Sequence, residues 1–473
     1  MMKRFTVTFL ALAAIILAIA PVGLVQAQTA YETTFLTSIT YQNVGNANTR
    51  VRFDFYAQNS GTAITIERPL NANASGSLFV GNVENLPQGF QGSAVMSAGE
   101  PIIGTLVQFG VNVPTRNRPL SNGFSSGQRS NTFLIATVLK NQFNQTTKFS
   151  VQNTDSSPVN AEVKFFRVGE GTPAHTEQIS NLPVGAARFF DAGTITQLGN
   201  QFNGSVVIEA TGNVIASALE LGIGGAQATY AAAFEGVAQG ANTVYMPKAL
   251  CDTFGGQRTA YAIQNTSTTT NASVTVTYSN GGTQAATITP GGKASFQTCE
   301  ATGANMVGIN GSARITSTGA EIVGIGKAFG TGLTTAFVGE TQGASRLALP
   351  YVRWATDANY NAGDASRGQR TFIAVQNLGG DLAAGAVRVR YVGPDGQTLG
   401  THDLPAIAQN AKVNSTPANA NLAEFGYAAG TFGGGAIVEG PAGSQLVVVA
   451  TVAQRDAGAN LTLGEDYNGI PIQ

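Results

Sequence analysis

The chain has 473 residues, of which 43% are hydrophobic and only 11% are charged, and its formal net charge is −1 at pH 7. Ordinary soluble proteins carry roughly 25% charged residues. The surface therefore has little electrostatic reach, which argues against nucleic acid and anionic lipid as partners, while the hydrophobic fraction excludes a disordered chain. A surface rich in Thr, Ser, Asn, Gln and Gly suits contact with copies of itself or with sugars.

The N-terminus has the pattern of an export signal. Two basic residues precede an apolar run from 5 to 24, and small residues stand at the −3 and −1 positions of a cleavage site after Ala27. The pattern predicts a signal peptide at 1–27 and a mature chain that begins at Gln28. An uncleaved membrane anchor is the alternative, but Pro and Gly interrupt the run. We expect a mature chain without a transmembrane span, secreted to the extracellular side or the cell surface.

A Gln-Asn pair recurs four times along the rest of the chain. The pairs are 110, 112 and 112 residues apart, at Gln42-Asn43, Gln152-Asn153, Gln264-Asn265 and Gln376-Asn377. Each pair ends an alternating apolar and polar run, and a second such run follows after a polar turn. This period of two is typical of an antiparallel strand with one face in the core. Its fixed place predicts that the pair closes a turn through side-chain to backbone hydrogen bonds.

A second signature follows in every copy: an aromatic residue or Ile, any residue, a glycine and a small residue. The glycines of this signature are Gly92, Gly204, Gly311 and Gly434. Apolar runs around another glycine turn come next, which predicts a hairpin whose entry glycine permits a bend or bulge. The last three copies close with an aromatic residue, any residue and glycine, whereas the first has only Phe124 there.

These patterns predict an all-β protein. Outside the signal no stretch keeps a helical period, and runs of strand character recur every 8 to 12 residues between Gly and Asn turns, which is typical of a β-sandwich. We predict four tandem immunoglobulin-like sandwiches at 28–126, 127–241, 242–344 and 345–473. Because the linkers are short, we expect the units to pack end to end as an elongated, stiff array.

The only two cysteines, Cys251 and Cys299, both fall in the third unit. Export permits a disulfide between them. It would close a loop of 48 residues. On the chain-entropy model such a loop contributes about 4 kcal/mol. Two free thiols are the alternative.

The two ends of the array are unequal. Units two to four open with an apolar leading strand, but only 14 residues separate the cleavage site from Gln42, too few for such a strand. The chain stops at Gln473, where a further leading strand would begin. An exposed sheet edge accepts a strand from another chain, so we predict self-association, head to tail or lateral. Trimmed terminal caps are the alternative.

One stretch matches a nucleophile elbow. Gly123 to Gly127 reads Gly-x-Ser-x-Gly around Ser125, a motif that needs a strand-to-helix turn and a histidine partner. Here the stretch lies in a polar linker, and the two histidines, His175 and His402, fall in other units. We therefore predict no enzyme and no catalytic residue, and keep an exported hydrolase as the weaker alternative.

An insertion in the fourth unit resembles a calcium loop. Asp357, Asn359, Asn361 and Asp364 alternate ahead of a tight turn, and such oxygens are the ligands that Ca²⁺ takes. The glycine stands at the seventh position and Gly368 replaces the closing Glu, so a polar turn is the alternative. We expect no other cofactor.

The single tryptophan lies in the same region. Trp354 with Tyr351 and Tyr360 would form a platform on which a sugar stacks. The alternative is that Trp354 belongs to the sandwich core.

With its export signal, four repeats, low charge and Gly/Thr/Asn richness, the chain resembles exported bacterial proteins built from tandem immunoglobulin-like sandwiches, which occur in surface layers, sheaths, filaments and adhesins. The resemblance spans 28–473. It implies a non-enzymatic structural protein of the cell surface that self-associates into a layer, sheath or filament. An adhesive or carbohydrate-binding module array is the alternative. No Leu-Pro-x-Thr-Gly sorting motif is present, so the mode of attachment stays open.

Overall fold

The computed structural model describes residues 35–111, 117–223, 230–330, 333–364, 366–427, 433–456 and 461–472. The signal peptide predicted at 1–27 lies outside them. The protein is all-β, with 58% strand and 6% helix in several sheets, which confirms the predicted class. No helix among the described residues is long and apolar enough to cross a membrane.

The first segment, 35–123, forms two antiparallel sheets. Its strands are β1 (Phe35–Asn43), β2 (Thr49–Ala57), β3 (Ala63–Leu70), β4 (Ser75–Phe79), β5 (Gly92–Ser97), β6 (Ile102–Gly110) and β7 (Leu120–Asn122). One sheet has the order β4-β1-β6-β7 and the other β3-β2-β5. Tyr41 on β1 and Phe53 on β2 pack edge to face between the sheets, since alternate side chains of each strand point inward.

The second segment, 130–237, repeats this plan with one long shared strand. Its strands are β8 (Ser130–Lys140), β9 (Gln145–Asn153), β10 (Val159–Arg167), β11 (Pro173–Leu182), β12 (Ala187–Asp191), β13 (Phe202–Gly222) and β14 (Ala231–Glu235). The first half of β13 pairs with β8 and β10, and its second half pairs with β9 and β14. The two layers enclose a core that includes Phe149, Phe165 and Phe202.

The third segment, 241–340, has two separate sheets. Its strands are β15 (Thr243–Leu250), β16 (Arg258–Asn265), β17 (Ala272–Tyr278), β18 (Thr283–Ile288), β19 (Lys293–Gln297), β20 (Asn310–Thr318), β21 (Ile322–Gly330) and β22 (Leu333–Val338). The orders are β19-β16-β21-β22 and β15-β20-β17-β18. The predicted disulfide is confirmed: Cys251, just after β15, is bonded to Cys299, just after β19. It joins the two sheets at one end.

The fourth segment, 344–472, contains the only α-helix of the described residues, α1 (Asp357–Ala362). Its strands are β23 (Arg346–Leu349), β24 (Gln369–Asn377), β25 (Arg388–Val392), β26 (Thr398–Asp403), β27 (Lys412–Ser415), β28 (Gly435–Glu439), β29 (Leu446–Asp456), β30 (Leu461–Asn468) and β31 (Ile470–Pro471). The sheets have the orders β27-β24-β29-β30 and β26-β25-β28-β23-β31. Tyr391, Phe425 and Trp354 belong to its core.

The strand order recurs from segment to segment with one difference. The leading strands β8, β15 and β23 pair with β13, β20 and β28 respectively. In the first segment β5 holds the position of these partner strands, and no described residue pairs with its outer edge.

The four segments contact one another in a closed circuit, which we call the ring. The closing strands β7, β14, β22 and β30 meet side by side, with β14 against β7 and β22, and β30 against β22 and β7. The backbone amide of Ser75 in the first segment also donates to the carbonyl of Pro394 in the fourth. The elongated array predicted from the short linkers is therefore wrong. Small residues such as Ala231 and Gly464 let the closing strands approach laterally, so each segment turns beside its neighbour.

Candidate functional site

A glutamine and a serine converge on one backbone carbonyl where the first two segments meet. Gln152 donates through Nε2 to the carbonyl oxygen of Gly185 at 3.0 Å, within its own segment. Ser93 at the start of β5 donates through Oγ to the same oxygen at 2.6 Å. The Gln-Asn motif and the Gly-Ser signature of neighbouring segments are thus joined at one atom.

The same arrangement recurs at the next two junctions. The carbonyl of Gly291 accepts from Gln264 at 3.3 Å and from Ser205 at 2.8 Å. The carbonyl of Asn410 accepts from Gln376 at 3.5 Å and from Ser312 at 2.7 Å. The glutamine of each motif therefore lies at a contact between segments, a role that the turn-closing interpretation did not include.

The junction between the fourth and first segments lacks the serine. Gln42 still donates to the carbonyl of Asn73, at 3.4 Å, but Gly435 replaces the serine of the other three junctions. A Cβ atom at Gly435 would stand 2.5 Å from the carbonyl oxygen of Leu349 and 3.1 Å from Oε1 of Gln42. The backbones approach too closely here for any side chain.

The asparagine of each pair has a separate task. All four asparagine side chains are completely buried, and in each the Oδ1 atom accepts from the backbone amide two residues later while Nδ2 donates to carbonyls of the same turn region. The four are Asn43, Asn153, Asn265 and Asn377. Side-chain bonds to the backbone close these turns because the buried amides have no water to bind.

The signature glycines stand where the entering strand crosses its neighbour. A Cβ at Gly92 or Gly204 would overlap a backbone carbonyl, that of Tyr56 or Phe166 respectively. At Gly311 the Cβ would overlap Oγ of Ser279. Gly434 has a φ of +133°, a conformation that residues with a Cβ rarely adopt. These positions admit only glycine for reasons of space or conformation.

One side chain ties all four segments together at the centre of the ring. Nδ2 of Asn117, just before β7, donates to the carbonyl oxygens of Ala231 at 3.3 Å, Thr334 at 2.9 Å and Gly464 at 3.1 Å. These oxygens belong to the second, third and fourth segments, and Asn117 itself is 1% exposed. Asn117 lies outside both repeat signatures, so no sequence signal marked it.

A polar layer follows at the ends of the same closing strands. Asn122 donates to the carbonyl of Asn468 at 2.8 Å, and Asn468 donates to the carbonyl of Val338 at 2.8 Å and to Oε1 of Glu340 at 2.6 Å. The backbone amide of Asn122 contacts Glu235. Burial raises the pKa of Glu235 and of Glu340 to about 7. Both carboxyls are therefore largely protonated in mildly acid solution.

A buried ion pair connects the second and third segments. Lys327 on β21 lies 2.6 Å from Glu220 on β13, whose side chain is 1% exposed. Nearby, Nζ of Lys293 donates to Oγ1 of Thr137 at 3.0 Å, and burial lowers the pKa of Lys293 to about 7. Removing one partner of such a pair leaves an uncompensated buried charge, so this junction resists separation.

A second buried ion pair connects the third and fourth segments. Nζ of Lys248 on β15 lies 2.9 Å from the carboxylate of Asp466 on β30, which is fully enclosed. Asp466 also accepts from Thr451 and Thr335. The carboxylate is satisfied by donors from both segments, which fixes their relative position.

A polar cleft of about 400 Å³ lies between the first and fourth segments. Hydroxyls of Ser38, Thr40 and Ser77 line one wall, and Tyr351 and Arg353 line the other. The guanidinium of Arg353 stacks on the ring of Tyr351, 4.4 Å from its centre. Hydroxyls, an aromatic ring and a fixed cation are groups that recognise polar ligands.

The structure does not form the predicted sugar-stacking platform. Tyr351 and Trp354 are only 8% and 9% exposed and belong to the core of the fourth segment. The guanidinium of Arg370 lies 4.7 Å from the ring of Trp354 and 4.6 Å from that of Tyr360. Arg370 therefore occupies the space between these two rings that a sugar would need.

The predicted calcium loop is a helix, so that prediction is wrong. Asp357, Asn359 and Asn361 lie on α1, and a helical turn of 3.6 residues directs Asn359 away from the other two. Asp357 pairs with Arg370, and Asp364 accepts from the backbone and hydroxyl of Ser366. The four oxygens do not converge on one point.

The elbow motif is a different kind of turn. Ser125 caps a short 3-10 turn, and its backbone amide donates to the side chain of Gln128. His175 bonds Glu177 at 2.8 Å and His402 bonds Ser415 at 2.9 Å. The histidines thus have hydrogen-bond partners other than Ser125.

Within the described residues, three metal-type ligands cluster at one place, Cys251, Asp252 and Cys299. The two sulfurs are bonded to each other, so they are not thiolate ligands.

Searches of protein-family models and of the curated proteins found no match to this chain.

Proposed function

We propose that this protein is a secreted, non-enzymatic structural component of the cell surface, in which four immunoglobulin-like sandwiches form a ring that self-associates. The common strand order and the recurring Gln and Ser contacts support four copies of one unit. Buried ion pairs and the bonds of Asn117 tie the copies into a rigid body. A rigid body with little surface charge is suited to a scaffold.

The outer edge of β5 is the observation that carries the proposal. The opposite edge of the same sheet, β3, holds Glu67, Arg68 and Pro69, which are residues that block strand addition. Strand β5 reads Gly-Ser-Ala-Val-Met-Ser and has neither charge nor proline. One edge is protected and the other is suited to accept a strand.

Light scattering on the exported protein, together with negative-stain imaging of the native cell surface, tests the proposal. We expect mass to grow with concentration and labelled protein to lie in ordered assemblies. A protein that stays monomeric at every concentration and is scattered singly over the surface would contradict it.

Carbohydrate binding is a second candidate, favoured by the cleft between the first and fourth segments. Hydroxyls of Ser38 and Ser77 and the ring of Tyr351 are suited to a sugar. A glycan array with the intact protein should give hits that Ser77→Leu removes. The control Thr287→Leu removes an exposed hydroxyl from β18 and should leave them unchanged. Hits that survive Ser77→Leu would place the binding elsewhere.

A further inference from the structure

The leading strands occupy a slot that is one strand wide. Strand β8 pairs with β13 of its own segment and also contacts β16 and β21 of the next. Strand β15 pairs with β20 and contacts β24 and β29. Side chains join these strands to the next segment, since Thr137 accepts from Lys293 and Lys248 donates to Thr451. A second sheet would not fit in such a slot.

The corresponding slot of the first segment lies between β5 and the second segment. Ser93 on β5 bonds the carbonyl of Gly185, so the second segment stands beside this strand as the third stands beside β13. No described residue pairs with the outer edge of β5.

The burial of β5 indicates that a covering strand is missing. Counted from the signature glycine, Met96 corresponds to Ile208, Ile315 and Val438, which are all completely buried. Met96 is only half-buried, and so is Ala94, whose three counterparts are 0 to 2% exposed. An apolar strip on β5 is therefore exposed where the other segments are covered.

The mature chain is too short to cover its own slot. Four residues, 141–144, connect β8 to β9. If export removes 1–27, the residues before β1 are 28–34, and a similar connection would leave three to pair with the six of β5.

We infer that residues 28–34 of a second copy fill the slot beside β5 as an added strand, an inference that rests on the self-association proposed above. Seven extended residues span about 23 Å and the six of β5 about 20 Å, so the lengths match. The segment reads Gln-Thr-Ala-Tyr-Glu-Thr-Thr, in which Thr29, Tyr31 and Thr33 share one face and favour a strand. Tyr31 covers the apolar strip of Ala94 and Met96.

This pairing is head to tail. Each copy has one tail and one slot, so the contact joins two different surfaces and either propagates as a filament or closes a small ring of copies.

The test uses the exported protein, with its N-terminus defined by mass spectrometry, beside a variant that begins at Phe35. We expect the exported protein to associate and the shortened one to be monomeric by light scattering. A labelled peptide of 28–34 should bind the shortened protein saturably, and unlabelled peptide in excess should dissolve the assemblies. The peptide with Tyr31→Asp should bind at least ten-fold more weakly.

Two substitutions form a matched pair at the edges of the sheet. Val95 on β5 and Thr65 on β3 both lie opposite Asp54. Val95→Lys should prevent association and peptide binding, and Thr65→Lys should leave both intact.

The outcomes separate the two proposals. Equal association of the shortened and exported proteins would overturn the tail and leave self-association standing. Monomers in both cases without peptide binding would overturn both. An exported chain that still begins at Met1 would overturn the argument from tail length.

Discussion

The first and third segments share a strand order but differ in completeness. In the third, β15 covers β20 and a disulfide joins the sheets, so Ile315 is fully buried. In the first, the corresponding Met96 is half-buried and no described strand covers β5. The comparison teaches that one sandwich pattern yields a closed unit or an acceptor, depending on the presence of a single strand.

The disulfide should give the largest difference between the two segments. Replacing Cys251 and Cys299 together by Ala should lower the free energy of unfolding by about 4 kcal/mol, since the loop between them is no longer closed in the unfolded chain. Urea denaturation followed by hydrogen exchange should locate the loss in the third segment. Equal loss of protection in the first would break the comparison.

Truncation at the matched core position should be the next largest effect. Ile315→Ala leaves a cavity in a closed core and should cost about 3 kcal/mol, whereas Met96→Ala at the half-buried site should cost about 1 kcal/mol in the monomer. Chemical denaturation of each variant measures both values. Equal costs would mean that β5 is as well covered as β20.

The central layer adds a difference in ionisation, since the third segment contributes Glu340 where the first contributes neutral Asn122. Burial raises the pKa of Glu340 from 4.5 to about 7, so between these values the folded state holds a proton that the unfolded state has released. Stability should therefore fall as pH rises through this window. Glu340→Gln should reduce the fall measured by urea denaturation at pH 5 and pH 8. The exposed control Glu321→Gln should not, and an unchanged slope in Glu340→Gln would contradict the assignment.

The junction serines should give the smallest effect. Ser312 is 1% exposed and donates to the fourth segment, and Ser312→Ala leaves the carbonyl of Asn410 with a weaker set of donors. It should cost about 1 kcal/mol. The half-buried Ser93 bonds the second segment in the same way, and Ser93→Ala should cost about half as much because water can replace the hydroxyl. Thermal unfolding of both variants measures the difference, and a larger cost for Ser93 would reverse the comparison.

Local features of the fold were readable from the sequence because they depend on residues close together in the chain. The alternating runs predicted strands, and the two cysteines predicted the disulfide. Helix α1 was also signalled locally, by Thr356 as N-cap and by Gly363 in the left-handed conformation, but the alternation of Asp and Asn was given more weight.

The centre of the ring was not readable in this way. Asn117 bonds carbonyls more than a hundred residues away, and carbonyls carry no side-chain signature. The buried carboxyls Glu235 and Glu340 resemble surface residues until the lateral packing of the closing strands is known. Long-range closure between copies leaves no period in the sequence.

Closure also bears on how such a chain can change over evolutionary time. In an open tandem array, duplication of one more unit simply lengthens the molecule. Here the bond from Ser75 to Pro394 brings the last segment against the first, and an inserted fifth copy would separate them. The number of units is therefore set by geometry, and variation is confined to loops and to the unpaired edge.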